Sequence, residues 1–165
     1  MAATPRLSLP FLTAGQAQKE TTVNESLQIL DFAVAGSAVA PPQSDPPENP
    51  EVGDCYIVGA EPSGAWAGRA GALAGFSEGG WRFIAPADGM SVYVSSLAQW
   101  ANYAGEAWEI GSARAARLLI NGVQVVGAQA EAIAAPSDGA TVDVEARAAI
   151  GQILAALRIH GLIAA

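Results

Sequence analysis

The sequence predicts an α+β protein, mainly β: a small antiparallel β module flanked by an N-terminal arm and helix and by a C-terminal β-hairpin with a short helix. Three observations predict it. Nine of the eleven aromatic residues fall between Tyr56 and Trp108, among short apolar runs punctuated by turn residues. An apolar stripe of helical period precedes that region, and a second one follows it. Five of the ten prolines lie in Pro41–Pro50, between the first stripe and the aromatic region.

The first twelve residues contain Leu7-Ser8-Leu9-Pro10, which reads as an extended arm, and Gly15-Gln16-Ala17-Gln18-Lys19 reads as a polar turn or short helical piece. Thr22-Val23-Asn24-Glu25 fits a capping box, so a helix is expected to start there. Val23, Leu27, Leu30 and Val34 form one stripe on a helix of about 12 to 15 residues ending near Gly36. The proline run removes backbone donors and favours polyproline geometry, so residues 41–50 are expected to be a linker between 1–40 and a β module at 51–111. Strands are expected at Cys55–Val58, Trp81–Ala85, Ser91–Ser95, Ala98–Tyr103 and Ala107–Ile110. The Gly- and Ala-rich Ser63–Gly75 reads as a loop with a helical turn; its glycines match neither GxGxxG nor a Walker A loop.

Residues 112–165 open with a hairpin. Asn121-Gly122 suits a type I′ turn, which places Ile120 opposite Val123 and Leu118 opposite Val125. Asp143 can cap a helix that runs to His160, with Gly161 as its terminating residue. Ala146, Ile150, Ile153, Leu157 and His160 make a heptad seam too short for an independent coiled coil. It must dock on its own sheet or on symmetry mates.

Composition narrows the function. Of 165 residues, 36 are Ala and 18 Gly, small side chains that bury little area each, so burial against partner chains is expected. A net charge of −8 repels phosphate backbones and demotes nucleic acid as a partner. One cysteine and one histidine leave no disulfide, no multi-cysteine zinc pattern and no two-histidine metal site, and no cofactor is expected. No apolar run approaches a membrane span or a signal h-region, so a cytoplasmically made product is expected, with no membrane partner. Asn24-Glu25-Ser26 matches a glycosylation sequon, here attributed to chance.

Chemistry-bearing groups are sparse. Cys55 and His160 are the only conceivable nucleophile and base, but one sits in an apolar strand and the other ends a helix beside Arg158. Glu106 with Glu109, or Asp143 with Glu145, can be imagined as an acid and base for glycoside cleavage. A hairpin turn and a helix N-terminus account for them more simply. No enzymatic activity is expected. Trp66, Trp81, Trp100 and Trp108 remain as core side chains or as a stacking surface for sugars.

Pro5-Arg6-Leu7-x-Leu9-Pro10, Gly15-Gln16-Ala17-Gln18-Lys19 and Thr22-x-Asn24-Glu25-x-Leu27-x-x-Leu30-Asp31 stand together here. Gly53-Asp54-x-Tyr56-Ile57-Val58, Gly64-Ala65-Trp66-Ala67-Gly68 and Gly80-Trp81-x-Phe83-x-x-Pro86 follow them. This pattern, over about residues 4 to 110, resembles a family of phage, prophage and gene-transfer-agent structural proteins that carry a domain of unknown function. Val142 to Ile163 is similar to a C-terminal module of such tail-fibre and spike proteins. The resemblance implies a non-enzymatic virion component, most similar to a gene transfer agent head spike base. Such a base sits at a capsid vertex and carries a fibre that engages capsular polysaccharide.

On that reading Arg6, Leu7, Leu9, Pro10, Gln16, Gln18, Lys19, Asn24 and Glu25 contact the capsid or another partner. Ile150, Ile153, Leu154, Leu157 and Leu162 form the oligomer or fibre interface. The expected assembly is a homo-oligomer, a pentamer matching the capsid five-fold or else a trimer. The alternative is a carbohydrate-binding adhesin or tail-fibre component that contacts polysaccharide directly through its Trp-rich module.

Overall fold

The computed structural model describes residues 3–12, 19–139 and 141–164. The chain divides into two compact units, Met1–Ser112 and Ala113–Ala165. The fold is α+β and mainly β.

In the first unit, α1 (Lys19–Val34) is followed by β1 (Ser37–Ala38), β2 (Cys55–Ile57), a 3-10 turn (Gly64–Trp66), β3 (Leu73–Ser77) and β4 (Gly80–Ile84). The strands β5 (Ser91–Val94), β6 (Gln99–Ala104) and β7 (Ala107–Ile110) complete it. Two sheets result: β1-β5-β6-β7, in which only the β1–β5 pair is parallel, and the antiparallel β2-β3-β4.

Strand alternation sorts the core into two clusters. Cys55, Ile57 and Leu73 of the three-stranded sheet share one cluster with Val92, Val94 and Ala101 of the other sheet, closed by Phe32 of α1. The intervening residues Tyr56 and Ala74 point to the opposite face, with Val58, Ala72 and Trp66 of the 3-10 turn, and Trp81 and Phe83 pack alongside. Gly75 is what lets Phe32 lie flat on β3, because a Cβ there would stand 2.4 Å from the ring.

Several expectations are corrected. β3 begins within the stretch read as a loop and runs past its end; its Leu-Ala-Gly-Phe-Ser lacks the β-branched residues that mark a strand, and pairing on both sides supplies what propensity does not. β1, two residues long, is too short to signal itself. The proline run is no free spacer: Gln43 donates its N–H to Ile57 O at 3.1 Å and accepts from Gly59 N at 2.7 Å, and Ser63 Oγ donates to Asp45 Oδ1 at 2.5 Å. Proline suits such an edge because it has no N–H to leave unpaired.

α1 already spans Lys19, ahead of the supposed capping box, and Glu25 points to Arg82 instead of back to Thr22. The helix also presents a different face to the sheets. Asp31 and Phe32 are buried, while Val23, Leu30 and Val34 of the expected stripe are exposed, Val34 by 70%. The arm is not extended: residues 3–10 form a loop closed by an Ala3–Pro10 bridge, with Ser8 at φ 54°.

The second unit holds β8 (Leu118–Ile120), β9 (Val123–Val126) and α2 (Val144–Ile159). Asn121 and Gly122 both have positive φ, as a type I′ turn requires. Ile120 faces Val123, but a bulge shifts Leu118 opposite Val126 and not Val125. Asp143 caps α2, its Oδ1 accepting from Ala146 N at 2.8 Å. At the other end Gly161 N donates to Arg158 O and Leu162 N to Leu157 O, both at 2.9 Å, a complete Schellman motif. Leu154 of α2 is buried, and Ala130 pairs briefly with Ile163. The expected seam stays open: Ala146, Ile150, Ile153 and His160 are exposed and Leu157 is half-buried.

Candidate functional site

The N-terminal loop is locked to α1 by one carboxylate. Thr4 Oγ1 donates to Asp31 Oδ1 at 2.7 Å, Leu7 N to the same oxygen at 2.5 Å, and Arg6 N to Oδ2 at 2.9 Å. Thr4 and Asp31 are both buried. Thr4 also accepts from Leu9 N at 2.9 Å, and its own N–H donates to Leu9 O at 3.0 Å. Arg6 reaches past the helix, its Nη2 donating to Ser37 O at 2.9 Å and to Ser37 Oγ. The backbone donors of a non-helical loop need acceptors when buried, and here one acid supplies them.

Three of the nine residues assigned to a partner interface, Arg6, Asn24 and Glu25, have side-chain hydrogen bonds within the chain. Asn24 Oδ1 accepts from Leu12 N at 2.9 Å, and Asn24 Nδ2 donates to Leu12 O at 3.1 Å. Glu25 receives a two-pronged pair from Arg82, Nε to Oε2 at 2.6 Å and Nη2 to Oε1 at 2.7 Å. That guanidinium hydrogen bond holds the Glu25 carboxyl below the usual carboxylate range and raises Arg82. Leu7 and Pro10 are exposed and Leu9 is half-buried. Gln16 and Gln18 lie outside the described residues, and Lys19 opens α1. α1 turns Val23, Ile29, Leu30 and Val34 outward into solvent.

The four tryptophans separate. Trp66 is 0% exposed, and its ring lies 5.1 Å from that of Trp81 and 5.8 Å from that of Tyr56. Trp81 also stacks 4.9 Å from Phe76. Trp66 is core, and Trp81 packs against it partly buried. Trp100 is 54% exposed, on the outer face of its sheet with its ring 5.5 Å from Tyr93. Ser91 and Asn102 pair beside them, Ser91 Oγ donating to Asn102 Oδ1 at 2.7 Å. Trp108 points the other way, donates Nε1–H to Gly71 O at 2.8 Å, and forms a wall of a cleft of about 390 Å³ with Pro42, Gly59, Tyr103 and Glu106.

That cleft presents two rings and one acidic side chain, a set suited to binding by stacking and hydrogen bonding. The Tyr103–Trp108 pair was hidden from sequence reasoning because it depends on the β6–β7 register, which sets them opposite each other with rings 5.3 Å apart. Burial pushes the Cys55 thiol up to about 11, far from the range of an activated nucleophile. Burial, aided by its hydrogen bond to Asp54, likewise moves Tyr56 to about 12. Cys55 and His160 belong to different units. Glu106 occupies a positive-φ turn position and Glu109 accepts from Ser112 Oγ at 3.2 Å. Asp143 is spent on its helix cap. Among the described residues no three His, Cys, Asp or Glu side chains converge as metal ligands, and no helix is long and apolar enough to cross a membrane.

Of the C-terminal candidates, Leu154 is buried within its own unit and Leu157 half-buried, whereas Ile150, Ile153 and Leu162 are exposed. A family model described as Protein of unknown function (DUF2793) matches residues 23–109. No curated protein and no solved structure matches the chain. The matched span covers just over half of the chain and runs from the first turns of α1 into β7, the last strand of the four-stranded sheet, so the chain belongs to that family of proteins of unknown function.

Proposed function

We propose that this chain is a non-enzymatic structural protein of a phage-like particle, the base of a gene transfer agent head spike that sits at a capsid vertex and carries a host-attachment fibre. The observation that carries this reading is the outward turn of both helices. α1 leaves Val23, Leu30 and Val34 in solvent, and α2 leaves Ile150 and Ile153 there. Apolar seams at helical spacing are stable when other subunits cover them. The sequence resemblance over residues 4 to 110 gives those subunits their setting. α1 and the clamped N-terminal loop face the capsid or another partner, and the C-terminal unit faces the fibre.

Immunogold labelling of purified particles tests it. Label at capsid vertices, and particles without the gene that lack spikes and adsorb poorly to encapsulated cells, are expected. Label confined to the tail, or none on particles, overturns it. A second reading is favoured by one feature, the exposed Trp100 ring beside Tyr93 and the paired Ser91 and Asn102, which is the composition of a sugar-stacking face. It predicts that the purified protein binds capsular polysaccharide and that Trp100→Ala abolishes this.

A further inference from the structure

The cleft beside Trp108 lies wholly within Met1–Ser112, and its volume of about 390 Å³ is in the range of small-ligand sites. Tyr103 and Trp108 stand opposite each other on β6 and β7, with ring centroids 5.3 Å apart and planes inclined by 65°, so they meet as two sides of a corner. Trp108 is pinned there twice, by packing against the core cluster that contains Phe32 and by its Nε1–H bond of 2.8 Å to Gly71 O. With that donor committed, the indole has only its π surface left to offer. The turn between the two strands brings Glu106, exposed at φ 66°, to the same cleft. Pro42, Val58 and small residues complete the lining.

The charge and the polar groups of this lining select among ligands. No Lys or Arg lines the cleft, and the unit around it carries four basic against twelve acidic residues, so an anion is repelled and a cation attracted. Apart from the committed indole, only Tyr103 and Glu106 bring polar side-chain groups to it. A sugar ring brings several hydroxyls that need partners, and a primary ammonium brings three N–H donors that need acceptors. A quaternary ammonium has no N–H to satisfy. Its methyl groups suit walls such as Pro42 and Val58, and its charge is stabilised by aromatic faces and by a carboxylate.

We propose that this cleft binds a quaternary ammonium group of the choline type. The Tyr103 and Trp108 rings take its charge on their π faces, and Glu106 closes the corner as the counter-ion. Because Trp108 is fixed before the ligand arrives, little ordering is left to oppose binding. The site goes beyond the particle role and does not depend on it.

Titration of the full chain with choline chloride, followed by tryptophan emission and by the indole N–H resonances, tests the proposal against sodium chloride at equal concentration. Saturable binding is expected, with the largest shift on the Trp108 resonance. The neutral carbon isostere of choline, which keeps its shape without its charge, and glucose should each bind at least about tenfold more weakly. Glu106→Gln, at an exposed turn, should raise the dissociation constant about threefold or more, and Tyr103→Leu about fivefold or more. Thermal unfolding checks that both variants keep the fold, and Glu106→Gln decides the matter alone if Tyr103→Leu does not. Phosphocholine separates the sources of the ligand. Weaker binding than choline assigns a free cation and tighter binding a phosphate-linked headgroup, and either supports the quaternary ammonium as the recognised group. No saturable binding of choline, equal binding of the neutral isostere, or wild-type affinity in Glu106→Gln overturns the proposal. None of these outcomes bears on where the chain sits in a particle, so the two readings fail separately.

Discussion

Thr4 and Asp31 stand 27 residues apart in sequence and meet in a buried hydrogen bond of 2.7 Å, with the threonine hydroxyl donating to the carboxylate. Two further donors, the backbone N–H groups of Arg6 and Leu7, converge on the same side chain, so Asp31 fixes the course of the N-terminal loop. Asp31→Asn keeps the volume but presents an amide donor to one of these donors. A loss of about 2–3 kcal/mol is expected. Urea unfolding followed by tryptophan emission measures it, with faster proteolysis within residues 3–12 as the accompanying sign. Thr4→Val should cost less, about 1–2 kcal/mol, because Arg6 and Leu7 keep Asp31 as acceptor and only Leu9 N–H loses Thr4 Oγ1.

Gly75→Ala tests the packing of α1 on the three-stranded sheet. The added methyl would lie 2.4–2.5 Å from three carbons of the Phe32 ring, and Phe32 is fully buried between two sheets, so the ring has nowhere to retreat. Overpacking of this kind costs about 1–3 kcal/mol. Combined with Phe32→Leu, which makes room, the double variant should be more stable than the two separate losses predict. Additive losses in thermal unfolding would show that Phe32 and Gly75 do not share a site.

How far the sequence discloses all this depends on whether a feature is written in local or distant chemistry. The Asn121-Gly122 turn, the Asp143 cap and the Gly161 stop are legible because each needs only its near neighbours. The strands with β-branched or aromatic residues, β2 and β4 to β7, are legible for the same reason. β3 is not, since Leu73–Ser77 is held by pairing partners on both sides. The helix faces mislead most. Apolar spacing marks Val23, Leu27, Leu30 and Val34 as one stripe but does not show which face meets the sheets, since Asp31, Asn24 and Glu25 have partners at Thr4, Leu12 and Arg82 that no spacing rule can see. Polar groups with distant partners outweighed an apolar stripe, and the stripe stays exposed. The cleft beside Trp108 was illegible because strand register builds it.

The Glu25–Arg82 pair gives stability a modest acid dependence. The carboxyl is held below its ordinary value in the folded chain, so the pair contributes fully above the unfolded carboxylate range. That contribution is lost as pH falls through the folded value. Glu25 is nearly half exposed, which limits the pair to roughly 0.5–1 kcal/mol. Glu25→Gln should therefore destabilise the chain slightly at pH 7, and the difference from wild type should shrink as the pH is lowered below about 4. A difference that grows on acidification contradicts the pairing.

Trp66 and Trp100 should respond to truncation in opposite ways, and the contrast separates scaffold from surface. Trp66 closes the outer face of the β2-β3-β4 sheet against Tyr56 and Trp81, so Trp66→Ala opens a large cavity and should cost about 3–5 kcal/mol. Trp100 touches Tyr93 on an exposed face, so Trp100→Ala should stay within about 0.5 kcal/mol of wild type. Thermal unfolding of the two variants makes the comparison. Any loss of ligand or particle binding in Trp100→Ala is then a loss of contact at the surface, because the fold is unchanged, whereas the same loss in Trp66→Ala carries no such meaning. Should Trp100→Ala unfold as readily as Trp66→Ala, the outer face is supporting the sheet, and its ring pair ceases to be a candidate for sugar stacking.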